Sequence, residues 1–230
     1  MLARLVEKNL MKLSSRTLQV LKNFSIINPS LLFKTGCVLT TMSPIKTVMA
    51  RATVKESFPQ TYAIFDLSRF IGVLSMFDDP EIVMEDSYLV ISENNRVVNY
   101  TYADPEMIVT PPDKPIKFPD DPEIQFAMPG DVLSSVMKAI NILQLSEFSV
   151  SGYANKIYVG AVDTKNPTGD TYKIQVGETE HQFSMIFKSE NIKLIAGDYD
   201  VKITSRGLGY FKGDDVEYWI PTESSSNFGS

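Results

Sequence analysis

A proline-rich segment at residues 104–122 divides the chain and limits how it can fold. Prolines this dense exclude a helix or a central strand, because proline lacks the backbone N–H that both structures use. The segment contains Pro105, Pro111, Pro112, Pro115, Pro119 and Pro122. We therefore expect an extended, semi-rigid connector, and a chain of 230 residues has room for a domain of about 110 residues on either side.

The two halves share one order of predicted elements, in which strands alternate with two helices. Apolar residues at helical spacing predict helices at 14–27 and 66–77 in the first half, and at 130–144 and 189–195 in the second. Short sequence matches support the repeat: Val20-Leu21-Lys22 corresponds to Val136-Met137-Lys138, and Ile64-Phe65 corresponds to Ile186-Phe187. The sequence therefore predicts one α+β fold built twice.

Short runs rich in β-branched and aromatic residues predict the strands. In the first half these runs are 31–33, 38–42, 47–54, 61–65, 81–84, 88–92 and 97–103. In the second half they are 123–128, 148–152, 156–161, 171–176, 182–187, 200–205, 209–212 and 216–220. The predicted organisation is an N-terminal extension at 1–10, a first domain at 11–104, the connector at 105–122 and a second domain at 123–230.

Charge is unevenly distributed along the chain. Residues 9–55 contain no aspartate or glutamate, although the whole chain has 28 acidic and 22 basic residues. Residues 56–230 carry 13 basic and 27 acidic side chains, which gives 13 − 27 = −14. An acidic chain does not bind nucleic acid over its whole surface, so any contact with DNA must be local. The acid-free segment is the predicted place for that contact.

Each of the four predicted helices presents a basic residue outward and no acid at its middle. On the first helix the predicted polar face consists of Arg16, Gln19, Lys22 and Asn23. These faces lack the aromatic side chains that stack single-stranded bases, which favours contact with the duplex backbone. The predicted DNA-facing residues are Lys12, Arg16, Lys22, Arg69, Lys138, Lys188 and Lys193.

No catalytic or metal-binding motif is apparent in the sequence. The single histidine, His181, is interpreted as a surface or edge-strand residue, because no second histidine or cysteine lies near it. The single cysteine, Cys37, is expected to be a buried structural thiol. We therefore predict a protein that is not an enzyme and that uses no metal or other cofactor. No apolar run approaches the roughly 20 residues of a membrane span, so no membrane partner is expected.

Four stretches of the sequence resemble those of the DNA polymerase sliding clamps, most closely the T-even phage type. They are MKLSSRTLQVLKNFSIIN at 11–28, FDLSRFIGVLSMFDD at 65–79, IVTPPDKPIKFP at 108–119 and VEYWIPTESSSNF at 216–228. The resemblance extends from Met11 to about Phe228. It implies two similar domains of the DNA-clamp fold, each with antiparallel sheets outside and two helices inside.

The resemblance also implies a function and a set of partners. The expected assembly is a homotrimeric ring that encircles double-stranded DNA without sequence preference and tethers the replicative DNA polymerase. An ATP-dependent clamp loader and late-transcription factors, a sigma-like protein and a co-activator, are further expected partners. The expected location is the cytoplasm of an infected bacterial host. Because a ring holds DNA by topology, a few weak phosphate contacts are sufficient.

Two surfaces follow from the resemblance by position. A strand at 97–103 is expected to pair with the strand at 182–187 of the next subunit, through Val97, Val98, Tyr100, Tyr102, Gln182, Phe183, Met185 and Phe187. A pocket for partner peptides is expected from Ile108, Val109, Pro111, Tyr210, Tyr218, Ile220 and Pro221. Strand alternation puts Tyr218 and Ile220 on one face and Trp219 on the other, so only one of these sets can line the pocket.

Two other functions are compatible with the composition. A structural or assembly protein of a virion could place the basic first helix against packaged DNA or a neighbouring subunit. A metal-free DNA-processing enzyme is the second alternative, and the lack of a clustered acid–base pair disfavours it. A clamp differs from both because it stays on circular duplex DNA and slides off when the circle is linearised.

Overall fold

A computed structural model describes residues 10–112, 114, 116–166 and 168–229 of the chain. The predicted extension at 1–10, except for Leu10, therefore lies outside the described residues, and so does Pro115 of the connector. The chain divides into two compact units after residue 112, within the predicted connector, and residues 47–49 group with the second unit.

The first unit combines helices with antiparallel strands. Its described elements are β1 (Leu10–Met11), α1 (Ser15–Ile27), β2 (Leu31–Phe33), β3 (Gly36–Met42), β4 (Met49–Phe58), β5 (Tyr62–Ile64), α2 (Leu67–Leu74), β6 (Glu81–Met84), β7 (Tyr88–Glu93) and β8 (Arg96–Thr101). One antiparallel sheet has the order β1-β6-β7-β8, while β2 pairs with β5 and β3 lies beside β4. A 3-10 turn at Pro105–Met107 follows the last strand.

Helix α1 begins and ends at polar residues that complete its backbone hydrogen bonds. Ser14 is the N-cap, and its hydroxyl accepts the Thr17 N–H at 3.2 Å. Asn28 ends the helix with its own N–H bonded to the Phe24 carbonyl. Asn23 differs from the prediction, because it is only 9% exposed. The buried side of α1 is wider than the apolar residues alone indicated, since α1 contacts α2.

The second unit has a long helix and two antiparallel sheets. Its described elements are β9 (Ile124–Met128), α3 (Gly130–Leu143), β10 (Glu147–Tyr153), β11 (Lys156–Val162), β12 (Tyr172–Glu178), β13 (Phe183–Lys188), β14 (Tyr199–Ile203), β15 (Leu208–Lys212), β16 (Val216–Pro221) and β17 (Asn227–Phe228). One sheet has the order β12-β11-β10-β13-β17, and the strands β16, β15, β14 and β9 are neighbours in that order. Helix α3 packs on β10, β11 and β12.

The fourth predicted helix, at 189–195, is not an α-helix. The chain makes one 3-10 turn at Ser189–Asn191 and then continues as irregular backbone. Ile192 and Ile195 are buried, and the Ile195 N–H donates to the Tyr218 hydroxyl at 3.2 Å instead of to a helical carbonyl. Packing of these side chains therefore overrides the helical spacing. The α+β class with antiparallel sheets is confirmed.

The exposure of Cys37 and His181 and the lengths of the helices can be compared with the predictions from the sequence. Cys37 is exposed, contrary to the expected buried thiol, because it lies at the start of β3, outside the core that covers Leu39 and Thr41. His181 is exposed, as predicted. Within the described residues, no helix is both long enough and apolar enough to span a bilayer.

Candidate functional site

A carboxylate from β4 holds the N-terminus of α1. Glu56 accepts hydrogen bonds from the backbone N–H of Ser14 and from the Thr17 hydroxyl. Burial would raise the pKa of Glu56, but the hydrogen bonds from Thr17 and Ser14 outweigh burial and lower that pKa. The charged carboxylate therefore fixes the position at which α1 begins.

The predicted DNA-facing cations of the first unit differ in exposure. Lys22 on α1 and Arg69 on α2 are exposed. Arg16 is half-buried, and its Nη1 donates to Gln19 Oε1 at 2.7 Å. Arg16 and Lys22 are six residues apart, which places them roughly 120° apart around a helix of 3.6 residues per turn. Lys22 is therefore the better-placed cation of α1 for an outside ligand.

Lys12 lies before α1 and carries a charge that is already balanced. Its Nζ is 2.5 Å from Asp79 Oδ2, and the hydrogen bond with Asp79 raises the pKa of Lys12. A cation paired with an acid attracts phosphate more weakly, because the acid repels the same phosphate. Lys12 is thus the weakest phosphate candidate of the first unit.

The second unit presents one prominent cation on its helix. Lys138 is exposed at the middle of α3. Lys188 ends β13 and lies in a surface cleft with Lys165, where three acids, Glu147, Glu190 and Glu223, outnumber the two lysines. Lys193 follows the 3-10 turn and is half-buried. The structure therefore favours Lys138 over the other two predicted cations of this unit.

The interface predicted at 182–187 does not lie at a sheet edge, and that part of the prediction is wrong. β13 lies between β10 and β17, and Phe183, Met185 and Phe187 are buried in the core, while Gln182 bonds through its carbonyl to the Gly229 N–H at 2.9 Å. The C-terminal segment covers the outer side of β13: the Glu223 N–H donates to the Ile186 carbonyl at 2.7 Å. Residues 223–229 therefore occupy the side of β13 that the resemblance implied to be a free edge.

β8 lies at one end of the sheet β1-β6-β7-β8, and β12 lies at one end of the sheet β12-β11-β10-β13-β17. β8 carries the predicted Val97, Val98 and Tyr100, with Val97 62% exposed, and Tyr102 follows directly. A groove of about 450 Å³ separates this strand from α2 and is lined by Phe65, Asp66, Arg69, Val73 and residues 98–103. β12 was not predicted as an edge strand, although its exposed Lys173 and Gln175 are typical of one.

Two residues predicted for the partner pocket are core residues. Tyr218 and Ile220 have no exposed area, and the Tyr218 hydroxyl is bonded to the Ile195 N–H inside the second unit. A peptide on the surface cannot contact them, so their assignment to the pocket is wrong. Strand alternation allowed either face of β16 to line the partner pocket. Because Tyr218 and Ile220 are core residues, only the face of Trp219 can do so.

That other face carries a row of side chains across four strands. Gln125, Lys202, Tyr210 and Trp219 are direct cross-strand neighbours on β9, β14, β15 and β16. The ring of Phe118, from the connector, lies 5.3 Å from that of Tyr210, and the rings of Tyr210 and Trp219 are 5.2 Å apart. We call Phe118, Lys202, Tyr210 and Trp219 the aromatic row. Pro221, two residues along β16, is half-buried.

The connector residues of the first unit have different exposures. Ile108 and Pro111 are buried, whereas Val109 is 40% exposed. The Asn28 amide donates to the carbonyls of Val109 at 3.1 Å and Met42 at 3.0 Å, which brings the loop after β3 beside the connector. Ile45 in that loop is 74% exposed and was not predicted, because no local pattern brings this loop beside the connector.

Within the described part of the chain, no group of three or more histidine, cysteine, aspartate or glutamate side chains is arranged to hold a metal ion. The acidic pairs Asp78-Asp79 and Asp214-Asp215 lie at turns. The surfaces that remain, namely the helix cations, the two edge strands and the aromatic row, are suited to binding macromolecules.

Family comparisons cover nearly all of the chain. The family described as DNA polymerase processivity factor matches residues 12–110, and the family described as gp45 sliding clamp, C terminal, matches residues 125–224. The sliding clamp of Vibrio phage KVP40 is 32% identical over 221 residues, covering 93% of this chain and 100% of that protein. The sliding clamp of Enterobacteria phage T4 is 29% identical over 226 residues, covering 94% and 98%.

Solved structures with much lower identity share the fold. The A. fulgidus proliferating cell nuclear antigen (PCNA), determined with the C-terminal region of FEN-1, superposes with a TM-score of 0.71 at 12% identity. The superposition covers 95% of this chain and 99% of that one. At this identity the similarity establishes the fold alone.

Proposed function

The chain belongs to the sliding clamp family, and on that premise we propose that it encircles duplex DNA as a ring of identical chains and tethers a phage replicative DNA polymerase. The observation that carries the proposal is the match of two successive clamp families to the two halves of the chain. We propose a homotrimer that acts in the cytoplasm of the infected bacterium, in keeping with the phage relatives.

Sparse cations on the helices support a sliding contact with DNA. Lys22 on α1, Arg69 on α2 and Lys138 on α3 are exposed helix cations, while the whole chain has a net charge of −6. A ring that surrounds DNA does not need high affinity for it, and weak phosphate contacts allow it to move along the duplex. Negative charge elsewhere disfavours adsorption of DNA to the rest of the surface.

Ring closure is proposed to use the two sheet ends. β8 of one subunit would pair with β12 of the next, in place of the strand at 182–187. Val98 and Tyr100 line the groove beside β8, so side chains of the incoming strand have an apolar surface to cover. Such pairing removes two exposed edges that would otherwise promote aggregation.

The aromatic row is proposed as part of the surface that receives the tail of the polymerase. Support comes from its aromatic side chains and from Phe118, which belongs to the proline-stiffened connector. In the first unit, Val109 on the connector and Ile45 in the loop after β3 are exposed apolar residues. We propose that the clamp loader, the sigma-like late-transcription factor and its co-activator use the same surfaces in turn.

Retention on DNA tests the proposal directly. The chain is loaded onto nicked circular duplex by an ATP-dependent loader from a related phage, and the complex is isolated by gel filtration. We expect the chain to stay with the circle and to be lost within minutes of linearisation by a restriction enzyme. Equal loss from circular and linear DNA would refute encirclement, and co-purification with virions would support the structural alternative.

A further inference from the structure

The exposed side of α1 carries a lysine and, four residues later, an isoleucine. Four residues of this helix are exposed, at intervals of four, three and four positions: Ser15, Gln19, Lys22 and Ile26. Residues at these intervals lie along one side of an α-helix. Ile26 is 57% exposed. A cation and a large aliphatic side chain therefore occupy the same side of α1.

Helix α3 repeats this arrangement in the second unit. Lys138 is exposed, and Ile142, four residues later, is 66% exposed. Both lie 116 positions after Lys22 and Ile26, which is the offset of the repeated Val-Leu-Lys and Val-Met-Lys matches. A single exposed aliphatic residue is ordinary on a protein surface. The same pair at equivalent places on two repeated helices indicates a ligand that both helices contact in the same way.

The geometry and charge of the pair suit the backbone of DNA. Four residues of an α-helix advance about 6 Å along its axis and about 40° around it, so the two side chains can contact neighbouring groups of one ligand. Along a DNA strand the neighbour of each phosphate is a deoxyribose, whose carbon–hydrogen faces are apolar. Helix α1 contains no acid, and the one acid of α3, Asp131, lies about two turns before Lys138. Phosphate beside either lysine therefore meets no carboxylate of the same helix turn.

We propose that Ile26 and Ile142 bind the deoxyribose faces of duplex DNA, beside the phosphates that Lys22 and Lys138 contact. The inference rests on the proposed function, because it requires DNA beside α1 and α3. Burial of apolar surface releases no counterions, so this contact adds affinity that salt does not screen. Every nucleotide of the duplex carries the same sugar, so the contact favours no sequence and recurs as the ring moves.

Salt dependence separates the apolar contact from the charged one. Full-length protein is titrated into a short fluorescein-labelled duplex of mixed sequence, and the fluorescence anisotropy is followed at several NaCl concentrations. Ile26→Ser and Ile142→Ser should each weaken binding about threefold at every salt concentration, and the combined variant about tenfold. The slope of log K against log salt should stay that of the parent. Lys22→Gln should instead reduce the magnitude of this slope by about one for each phosphate contact that it removes.

Met107 provides a matched control outside the α-helices. It lies in the 3-10 turn after β8 and is 60% exposed, close to the exposure of the two isoleucines. Met107→Ser should bind the duplex with the affinity of the parent. Sedimentation velocity of every variant gives the concentration of assembled rings, so that DNA affinities are compared at equal ring concentration.

The outcomes distinguish this inference from the proposed function. Parent affinity in the combined isoleucine variant, or a loss that disappears at equal ring concentration, would overturn the inference. The second result would make the isoleucines subunit contacts. A loss restricted to A·T-rich or to G·C-rich duplexes would also overturn it, because the contact would then involve bases. If the parent protein is lost equally from circular and linear DNA, the proposed function fails, and this inference fails with it.

Discussion

The Glu56 carboxylate accepts the backbone N–H of Ser14, a residue 42 positions earlier in the sequence. A second oxygen of the same carboxylate accepts the Thr17 hydroxyl. This side chain therefore satisfies donors at the start of α1 that the helix itself leaves open. It links β4 to the helix whose exposed Lys22 is proposed to contact DNA.

Removal of the Glu56 charge should destabilise the first unit. For Glu56→Gln we expect a loss of about 1–2 kcal/mol in the free energy of unfolding, because one amide oxygen cannot replace two charged acceptors. Urea unfolding followed by circular dichroism measures this difference. Glu180→Gln is the matched control, since Glu180 is exposed. Equal stability of the two variants would contradict the anchoring role.

The same carboxylate predicts a pH dependence. The pKa of Glu56 is lowered in the fold from its ordinary value of 4.5, so its contribution to stability is complete above that pH. The contribution is lost as the pH falls through the lowered folded-state pKa. We expect Glu56→Gln to be less stable than the parent at pH 7, with the gap closing as acid is added. A gap of constant size down to about pH 3 would exclude this linkage.

Charge reversal on the helices should impair processive synthesis without affecting assembly. Lys22→Glu combined with Lys138→Glu places acids where phosphates are proposed to pass. We expect shorter primer-extension products, and a salt dependence of DNA binding whose slope falls by about one for each phosphate that the protein no longer binds. Lys156→Glu combined with Lys165→Glu, an equal charge change at two exposed positions outside the helices, is the control. Comparable processivity of both proteins would remove the DNA-facing assignment.

The groove beside β8 gives a test of ring closure. Val98 lines the groove, whereas its neighbour Val97 points to the opposite side of the strand. Val98→Asp should weaken assembly by at least about a hundredfold, because a buried unpaired charge costs about 3 kcal/mol. Val97→Asp should have a smaller effect. Sedimentation velocity over a range of concentrations reports both dissociation constants, and identical constants would rule out the groove as a contact.

The sequence was most informative where local patterns determine structure. The periodicity around Phe24, Phe70 and Val136 predicts the three α-helices of the described residues. The predicted helix at 189–195 failed because Ile195 bonds to Tyr218, a contact between residues distant in the chain. The spacing of apolar residues within a segment contains no information about a hydrogen-bond partner that is distant in the chain.

The candidate site was harder to predict than the fold for the same reason. Whether β13 is an edge depends on β17, a two-residue strand with little pattern of its own. Exposure of the two faces of β16 depends on what packs against each of them, so alternation could separate Tyr218 from Trp219 but could not say which faces outward. The exposure of Lys22, Arg69 and Lys138 follows from their positions on helices that do form, whereas Lys188 and Lys193 were assigned to a helix that does not form.

The assignment of Tyr218 to the core and Trp219 to the binding face gives the last prediction. Tyr218→Phe removes the acceptor of the buried Ile195 N–H, which should cost about 1–3 kcal/mol of stability. The affinity for a peptide on the aromatic row should remain unchanged, because Tyr218 has no exposed area.

Trp219→Ala should show lower peptide affinity, since it removes a ring of the aromatic row. Thermal unfolding and peptide titration of both variants, with Tyr88→Phe on β7 as a hydroxyl-removal control, measure the two effects independently. A Tyr218→Phe protein of full stability and weakened peptide binding would reverse the assignment. The two faces of β16 would then have exchanged roles, and the pocket first expected around Tyr218 and Ile220 would be restored.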